Sequence, residues 1–326
     1  MTRLLHAATL GASALFAAPP AAAQAQDYPN RPIRIIVAQA PSSGPDAMAR
    51  GIGQKLTEAW GQQVIVDNRP GANGIIGMEA AAKAKPDGYT LVLAVPSATT
   101  MNPYVYKTLP YDPFRELTPV TQAVTNTFGL VINPALPVRT VKDLVALGRA
   151  RPNDLNYASS GIGNQTHLAG ELFAMATQLR MTHVPYKGQT PALIDLISGQ
   201  VTLMFTPMPG AAEHVASGRL RLLATCGEKR DSVFTTVPTM KDAGFPTVII
   251  TGWNGLLAPA GVPRDIVSKL QGEVAKYLLS PNTKSMLVSL GADPVASTPE
   301  QFAAFIKAEA AKWSKVIRQA GLENTQ

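Results

Sequence analysis

Short runs of β-branched and other apolar residues alternate with longer stretches at helical spacing along almost the whole chain. Residues 33–37, 64–67 and 89–95 are strand-like, and residues 47–60 and 75–84 between them carry apolar side chains at helical intervals. That βαβαβ order predicts a parallel sheet covered by helices. A Pro- and Tyr-rich connection over 102–119 leads to a strand at 128–133 and a helix opened by Thr140-x-x-Asp143, at capping-box spacing. A second set follows: strand 155–159, a helix from Gln165, strand 182–184, a helix around 191–198, strand 201–205, a helix near 211–217 and strand 220–225. A Pro/Gly-punctuated stretch, 237–246, and a strand near 248–250 precede three closing helices. The last helix opens with Thr298-Pro299-Glu300-Gln301: hydroxyl N-cap, proline at N1, glutamine at N3.

The N-terminus follows a different pattern. Arg3 precedes an apolar, alanine-rich run over 4–18, then Pro19-Pro20 and the small residues Ala21-Ala22-Ala23-Gln24-Ala25. That order predicts a signal peptide over residues 1–25, cleaved near Ala23 or Ala25. A buried first helix would need an amphipathic period, which the run lacks. Roughly 300 residues remain, enough for two domains, and no later segment has the ~18 consecutive apolar residues of a membrane span.

Composition narrows the chemistry. Cys226 is the only cysteine of 326 residues, which excludes an internal disulfide and a cysteine-rich metal site; its apolar strand predicts a buried, inert thiol. The net charge of +7 is spread along the chain without a Lys/Arg-rich block, which argues against a nucleic-acid surface.

The densest polar chemistry is the turn Ser159-Ser160-Gly161-Ile162-Gly163-Asn164-Gln165-Thr166, between a strand and a helix. Glycines permit close backbone approach, and a helix start offers unpaired N–H groups and partial positive charge. Ser, Asn and Thr add side-chain donors. Together they predict a cradle for a small anion, a carboxylate or phosphate. Ser159 and Ser160 also suit ordinary turn and cap positions, and Asn164 and Thr166 suit capping and ligand donation at once. Gly161-x-Gly163-x-x-Thr166 imitates a dinucleotide fingerprint without its third glycine. His183 and His214 lack metal-ligand spacing, so neither cofactor nor metal is expected. A competing reading is an exported serine hydrolase using Ser160 and His167. Against it, Ala158-Ser159-Ser160-Gly161 is not a G-x-S-x-G elbow, which leaves His167 a structural or supporting residue. Asp46, opening the first helix, suits an N-cap as well as a ligand contact. Ser97 and Thr99 follow the strand ending at 95, and ligands of open α/β sheets bind at that end of the strands, in a cleft.

Seven strings in order carry a family resemblance: Tyr28-Pro29-x-Arg31-Pro32-Ile33, Asp67-Asn68-Arg69-Pro70-Gly71-Ala72, Lys85-Pro86-Asp87-Gly88-Tyr89-Thr90, Leu109-Pro110-Tyr111-Asp112-Pro113, His167-Leu168-Ala169-Gly170-Glu171, His183-Val184-Pro185-Tyr186-Lys187-Gly188 and Gly255-Leu256-Leu257-Ala258-Pro259-Ala260-Gly261. Over residues 28–322 the chain resembles the periplasmic solute-binding receptors of tripartite tricarboxylate transporters, the Bug receptors. The resemblance implies a two-lobed periplasmic-binding-protein (Venus flytrap) fold, two α/β sandwich domains with a cleft between them. Lobe 1 is expected over 26–125 and 250–326, and lobe 2 over 126–249. It further implies a monomeric, non-catalytic periplasmic receptor that closes on a small organic carboxylate. The partners implied are the membrane subunits of the transporter or, alternatively, a sensor protein.

In that family two turns hold the carboxylate through backbone N–H groups, small hydroxyl residues and water. The matching positions here run from Pro41 to Asp46 and from Ser159 to Thr166. The ligand-binding set so implied is Ser42, Ser43, Gly44, Asp46, Ser97, Ser159, Ser160, Gly161, Gly163, Asn164, Thr166 and Thr206. Three departures stand out. The usual Pro-Pro-Gly-Gly-Gly-Thr-Asp type of first turn reads Ala40-Pro41-Ser42-Ser43-Gly44-Pro45-Asp46, with Pro45 lacking an N–H. Gln39 replaces an aromatic, and Thr206 replaces an acidic residue that would suit an ammonium group. The last change points to a ligand without a free amine.

Overall fold

The structure is a computed structural model that describes residues 28–231, 233–289 and 291–326; the expected signal peptide lies outside these residues. In chain order the first elements are β1 (Ile33–Val37), α1 (Gly44–Trp60), β2 (Val64–Asn68), α2 (Ile75–Ala82), β3 (Thr90–Ala94), α3 (Asn102–Val105) and β4 (Leu117–Ile132). Next come α4 (Val141–Ala150), β5 (Asn156–Ser159), α5 (Gln165–Thr177), β6 (Thr182–Pro185), α6 (Gln189–Ser198), β7 (Leu203–Pro207), α7 (Ala212–Ala216) and β8 (Arg221–Thr225). The last are β9 (Thr251–Pro259), α8 (Arg264–Leu279), α9 (Pro281–Ser289), β10 (Ala292–Pro294) and α10 (Pro299–Gln319).

Local chemistry explains the helix ends. Ser43 caps α1 by accepting the Asp46 N–H, and Gly61 ends the helix at φ 67°. Pro45 stands in the first turn, where its missing N–H leaves no intrahelical bond unmade. Thr140 opens α4 and Thr298 opens α10 with complete capping boxes, at the spacings anticipated from sequence.

The strands run in the order β2-β1-β3-β9-β4-β7-β5-β6, with β8 and β10 also paired to β4. β1 pairs in parallel with β2 and β3, and β5 in parallel with β6 and β7. The junction departs from the parallel expectation: β4 pairs antiparallel with β9 and β7, and β9 antiparallel with β3. β4 is 16 residues long, where the pattern predicted only a strand over 128–133. Its first part contains Thr118, Thr121, Gln122, Thr125, Asn126 and Thr127, polar residues that hide a strand from any hydrophobic period. Residues from Leu117 to Thr127 pair with β9, and residues from Phe128 to Ile132 pair with β7 and β8, so one strand serves both halves. The strand expected near 248–250 begins at Thr251 instead; Val248 and Ile250 are buried, and the Ile250 N–H donates to the Cys226 carbonyl.

The apolar core follows the same division. Ile35, Leu91, Ile52 and Leu270 pack around β1 and β3, with Trp253 and Phe302 on a neighbouring face of the same half. Phe128, Tyr157, Phe173 and Phe205 form the core of the other half. α10 contributes to both: Phe302 and Ile306 pack in the first, Trp313, Val316 and Ile317 in the second. Burial pushes the Cys226 thiol far above its ordinary pKa, which keeps it protonated and inert.

Candidate ligand-binding cleft

The turn after β1 is a closed hydrogen-bonded unit. Asp46 is 3% exposed, and its Oδ2 accepts from the Ser42 N–H at 2.9 Å and from Arg50 Nε at 3.0 Å. Asn68 Nδ2 donates to Asp46 Oδ1 at 2.9 Å, tying the turn to the end of β2. Burial pushes the carboxyl pKa up, but the hydrogen bonds from Arg50, Asn68 and Ser42 outweigh it and hold the group below its ordinary value. Ser42 adopts φ 63°, the left-handed region that an L-residue enters at a cost of about 1–2 kcal/mol. Ser43 Oγ is engaged as the cap. The Gly44 N–H has no partner among the described residues. Asp46 therefore organises the turn, and the donors left to a ligand are the Gly44 N–H and the serine hydroxyls.

The turn after β5 is built more elaborately. Asn164 caps α5 through Oδ1, accepting the N–H groups of Thr166 and His167, both at 3.1 Å, and the Thr166 hydroxyl at 2.7 Å. Thr166 Oγ1 in turn accepts the Ser160 N–H at 2.8 Å, and Asn164 Nδ2 donates to Ser160 Oγ at 2.9 Å. Gly161 (φ 147°) and Gly163 (φ 71°) take backbone conformations open to glycine, and a Cβ on Gly163 would lie 2.6 Å from Val105. Ser159 is fully buried, its Oγ 2.6 Å from His183 Nε2 and 3.0 Å from the Gly161 carbonyl. The Gly163 N–H donates to His167 Nδ1 at 2.9 Å. Among the described residues, the N–H groups of Ile162, Asn164 and Gln165 have no partner. Asn164 and Gln165 are buried at the start of a 13-residue helix, and Ile162 is exposed just before it, an arrangement suited to an anion.

Six of the residues singled out from sequence thus fall in one network: Ser159, Ser160, Gly161, Gly163, Asn164 and Thr166. Ser42, Ser43, Gly44 and Asp46 form the other turn. Thr206, fully buried at the end of β7, accepts a hydrogen bond from Gln189 Nε2 at 2.6 Å. Ser97 is buried in the irregular turn Ser97–Met101, and Thr99 donates back to the Val95 carbonyl.

Sequence reasoning passed over three participants. Gln189 bonds both Thr206 and the Pro207 carbonyl. Asn73 donates to the Ile162 carbonyl at 3.4 Å and to Asn102 Oδ1 at 3.1 Å, linking the loop after β2 to the turn after β5. His183 reaches Ser159. Gln189 follows the Pro185-Tyr186-Lys187-Gly188 string directly, and Asn73 follows Arg69-Pro70-Gly71-Ala72, so proximity to a motif was the available signal.

Ser160 and His167 do not form a dyad: Ser160 Oγ meets Thr166 and Asn164, while His167 Nδ1 is occupied by Gly163. Two cavities are lined by none of the residues of either turn. One of about 400 Å³ adjoins the start of α4, whose capping box already uses Thr140 and Asp143. Another of about 340 Å³ sits at the β4–β9 junction, lined by Asn126, Arg230 and Thr251; the Thr251 carbonyl accepts from Gln165 Nε2.

Residues 48–322 match the model of the tripartite tricarboxylate transporter family receptor. Protein BugT of Bordetella pertussis is 37% identical over 322 residues, 98% of either chain. An adipate-bound protein of R. palustris is 36% identical, covers 90% of this chain and 99% of its own, and superposes with a TM-score of 0.86. MatC from Rhodopseudomonas palustris, solved with bound malate, is 28% identical over 89% of this chain and 100% of its own, with a TM-score of 0.82.

Proposed function

The chain belongs to the tripartite tricarboxylate transporter receptor family, and from that premise we propose that it captures a small organic carboxylate in the periplasm and delivers it to the membrane subunits of such a transporter. The observation that carries the reading is the set of free N–H groups of Ile162, Asn164 and Gln165 at the start of α5, beside the hydroxyls of Ser160 and Thr166. A carboxylate there gains charge-assisted hydrogen bonds and the favourable end of the helix dipole. Gly44 and the hydroxyls of Ser42 and Ser43 supply the opposing side, with Ser97 and Thr206 at its margins. Ligand contacts made only when both turns face the solute shift an open–closed equilibrium.

The lobes are residues 26–125 with 250–326, and residues 126–249; the mature, monomeric chain begins after cleavage near Ala23 or Ala25. Adipate and malate, the ligands of two structural relatives, favour a mono- or dicarboxylate, and Thr206 in place of an acidic residue favours one without a free amine. The activity is binding without catalysis: Ser159 is closed to solvent, and the lowered pKa of His183 makes it a weak base.

Calorimetry and thermal shift with a panel of aliphatic mono- and dicarboxylates, adipate and malate included, test this. Saturable binding with a raised Tm is expected, with amino acids of the same length binding more weakly. A panel without any binding, or ester turnover lost in Ser160→Ala, would overturn it.

A further inference from the structure

Two histidines from separate sequence strings meet beneath the turn after β5. His167 on α5 and His183 on β6 lie face to face, ring centroids 3.7 Å apart and planes 7° from parallel. Tyr157 of β5 packs against His183 at 4.9 Å, and its hydroxyl bonds the Glu171 carboxylate. Each ring sends one nitrogen into the turn. His167 Nδ1 accepts the Gly163 N–H, so that nitrogen carries no proton and the ring's hydrogen sits on Nε2, 3.7 Å from Glu171 Oε1. His183 Nε2 contacts Ser159 Oγ, and the same oxygen accepts the Gly161 N–H at 3.2 Å.

The rings therefore engage one backbone donor and one hydroxyl of the turn and leave the N–H groups of Ile162, Asn164 and Gln165 unspent. We propose that His167 and His183 are positioning residues for the anion site: a neutral stacked pair that fixes the 159–166 turn so that its remaining N–H groups converge on the ligand. This rests on the receptor reading above. The pair acts through the backbone. Burial lowers the pKa of His167 to about 4, and burial with the neighbouring His167 lowers that of His183 to about 3, so both rings are neutral at pH 7. A proton on His167 Nδ1 would turn an acceptor into a donor facing the Gly163 N–H.

Substitutions at His167 separate positioning from packing. His167→Asn keeps an acceptor near the Nδ1 position and gives up ring volume; His167→Leu fills the space and removes the acceptor. Adipate affinity by calorimetry and the Gly163 amide resonance by NMR are measured for both at pH 7. Positioning predicts that His167→Asn stays within about threefold of wild type with an unshifted Gly163 amide. It also predicts that His167→Leu loses about tenfold or more, the cost of an unsatisfied buried N–H. The reverse order, leucine tolerated and asparagine impaired, overturns the proposal.

The wild-type protein supplies a second measurement that needs neither variant nor ligand. With ¹⁵N-labelled histidine, His167 is expected to report an unprotonated Nδ1, and acid titration of its ring is expected to move the Gly163 amide in step. A protonated Nδ1 at pH 7, or a Gly163 amide indifferent to the ring, overturns the proposal. If wild type binds none of the carboxylates while the NMR coupling is present, the receptor reading fails and the ring–turn coupling stands.

Discussion

Asn73 reaches from the loop after β2 to the carbonyl of Ile162, at 3.4 Å, in the turn that offers the free donors. Its backbone is left-handed, at φ 55°, so alanine would add strain to the loss of the side chain, whereas glycine removes the amide alone. Asn73→Gly is expected to weaken carboxylate binding by about two- to tenfold, the worth of one net hydrogen bond. Calorimetry measures it, and unchanged affinity would mean that the link contributes nothing to ligand binding.

Asp46 gathers Ser42, Arg50 and Asn68 around one buried carboxylate. Asp46→Ala leaves these donors without their acceptor and is expected to destabilise the fold by about 1–3 kcal/mol. The folded pKa lies below the unfolded value, so the contribution is full above about pH 3.9 and is lost as pH falls through the folded pKa. Urea melts at pH 7 should separate the variant from wild type, and the gap should narrow as the pH is taken down through the folded pKa of Asp46.

The stacked histidines also lose stability in acid, but over a higher pH window. Their folded pKa values, about 4 and about 3, lie below the unfolded value of about 6.5. Below pH 6.5 the unfolded chain binds protons that the folded one refuses, so stability falls from about pH 6.5 down to the folded values, by up to about 1.4 kcal/mol per pH unit for each ring. Denaturation midpoints between pH 7 and 4 are expected to decline in wild type and to decline less in a His167→Asn, His183→Gln double variant. Parallel slopes would contradict this assignment.

Ser42 holds a left-handed backbone where the resemblance places a glycine. Ser42→Gly is expected to stabilise the ligand-free protein by up to about 1 kcal/mol by relieving the strain, and to weaken ligand binding where the Ser42 hydroxyl takes part. Differential scanning calorimetry with and without adipate distinguishes the two effects. A lower Tm without ligand would show that the serine hydroxyl supports the turn.

The chain itself determined the alternation of strands and helices, the capping boxes at Thr140 and Thr298, the buried Cys226 and the six-residue network at the turn after β5. These are local properties: a period, a cap and a glycine act over a few residues and leave a readable pattern. Tertiary structure decided the rest. β4 pairs along 16 residues although its first part is polar, because β9, arriving more than a hundred residues later, supplies the ladder. Asp46 is spent within its own turn because Asn68 arrives from β2, and the free donors of the turn after β5 are those that Ser159, Asn164, Thr166 and His167 do not take. Which polar groups remain for a ligand depends on which are already satisfied, and their partners come from positions that only folding brings within hydrogen-bond distance.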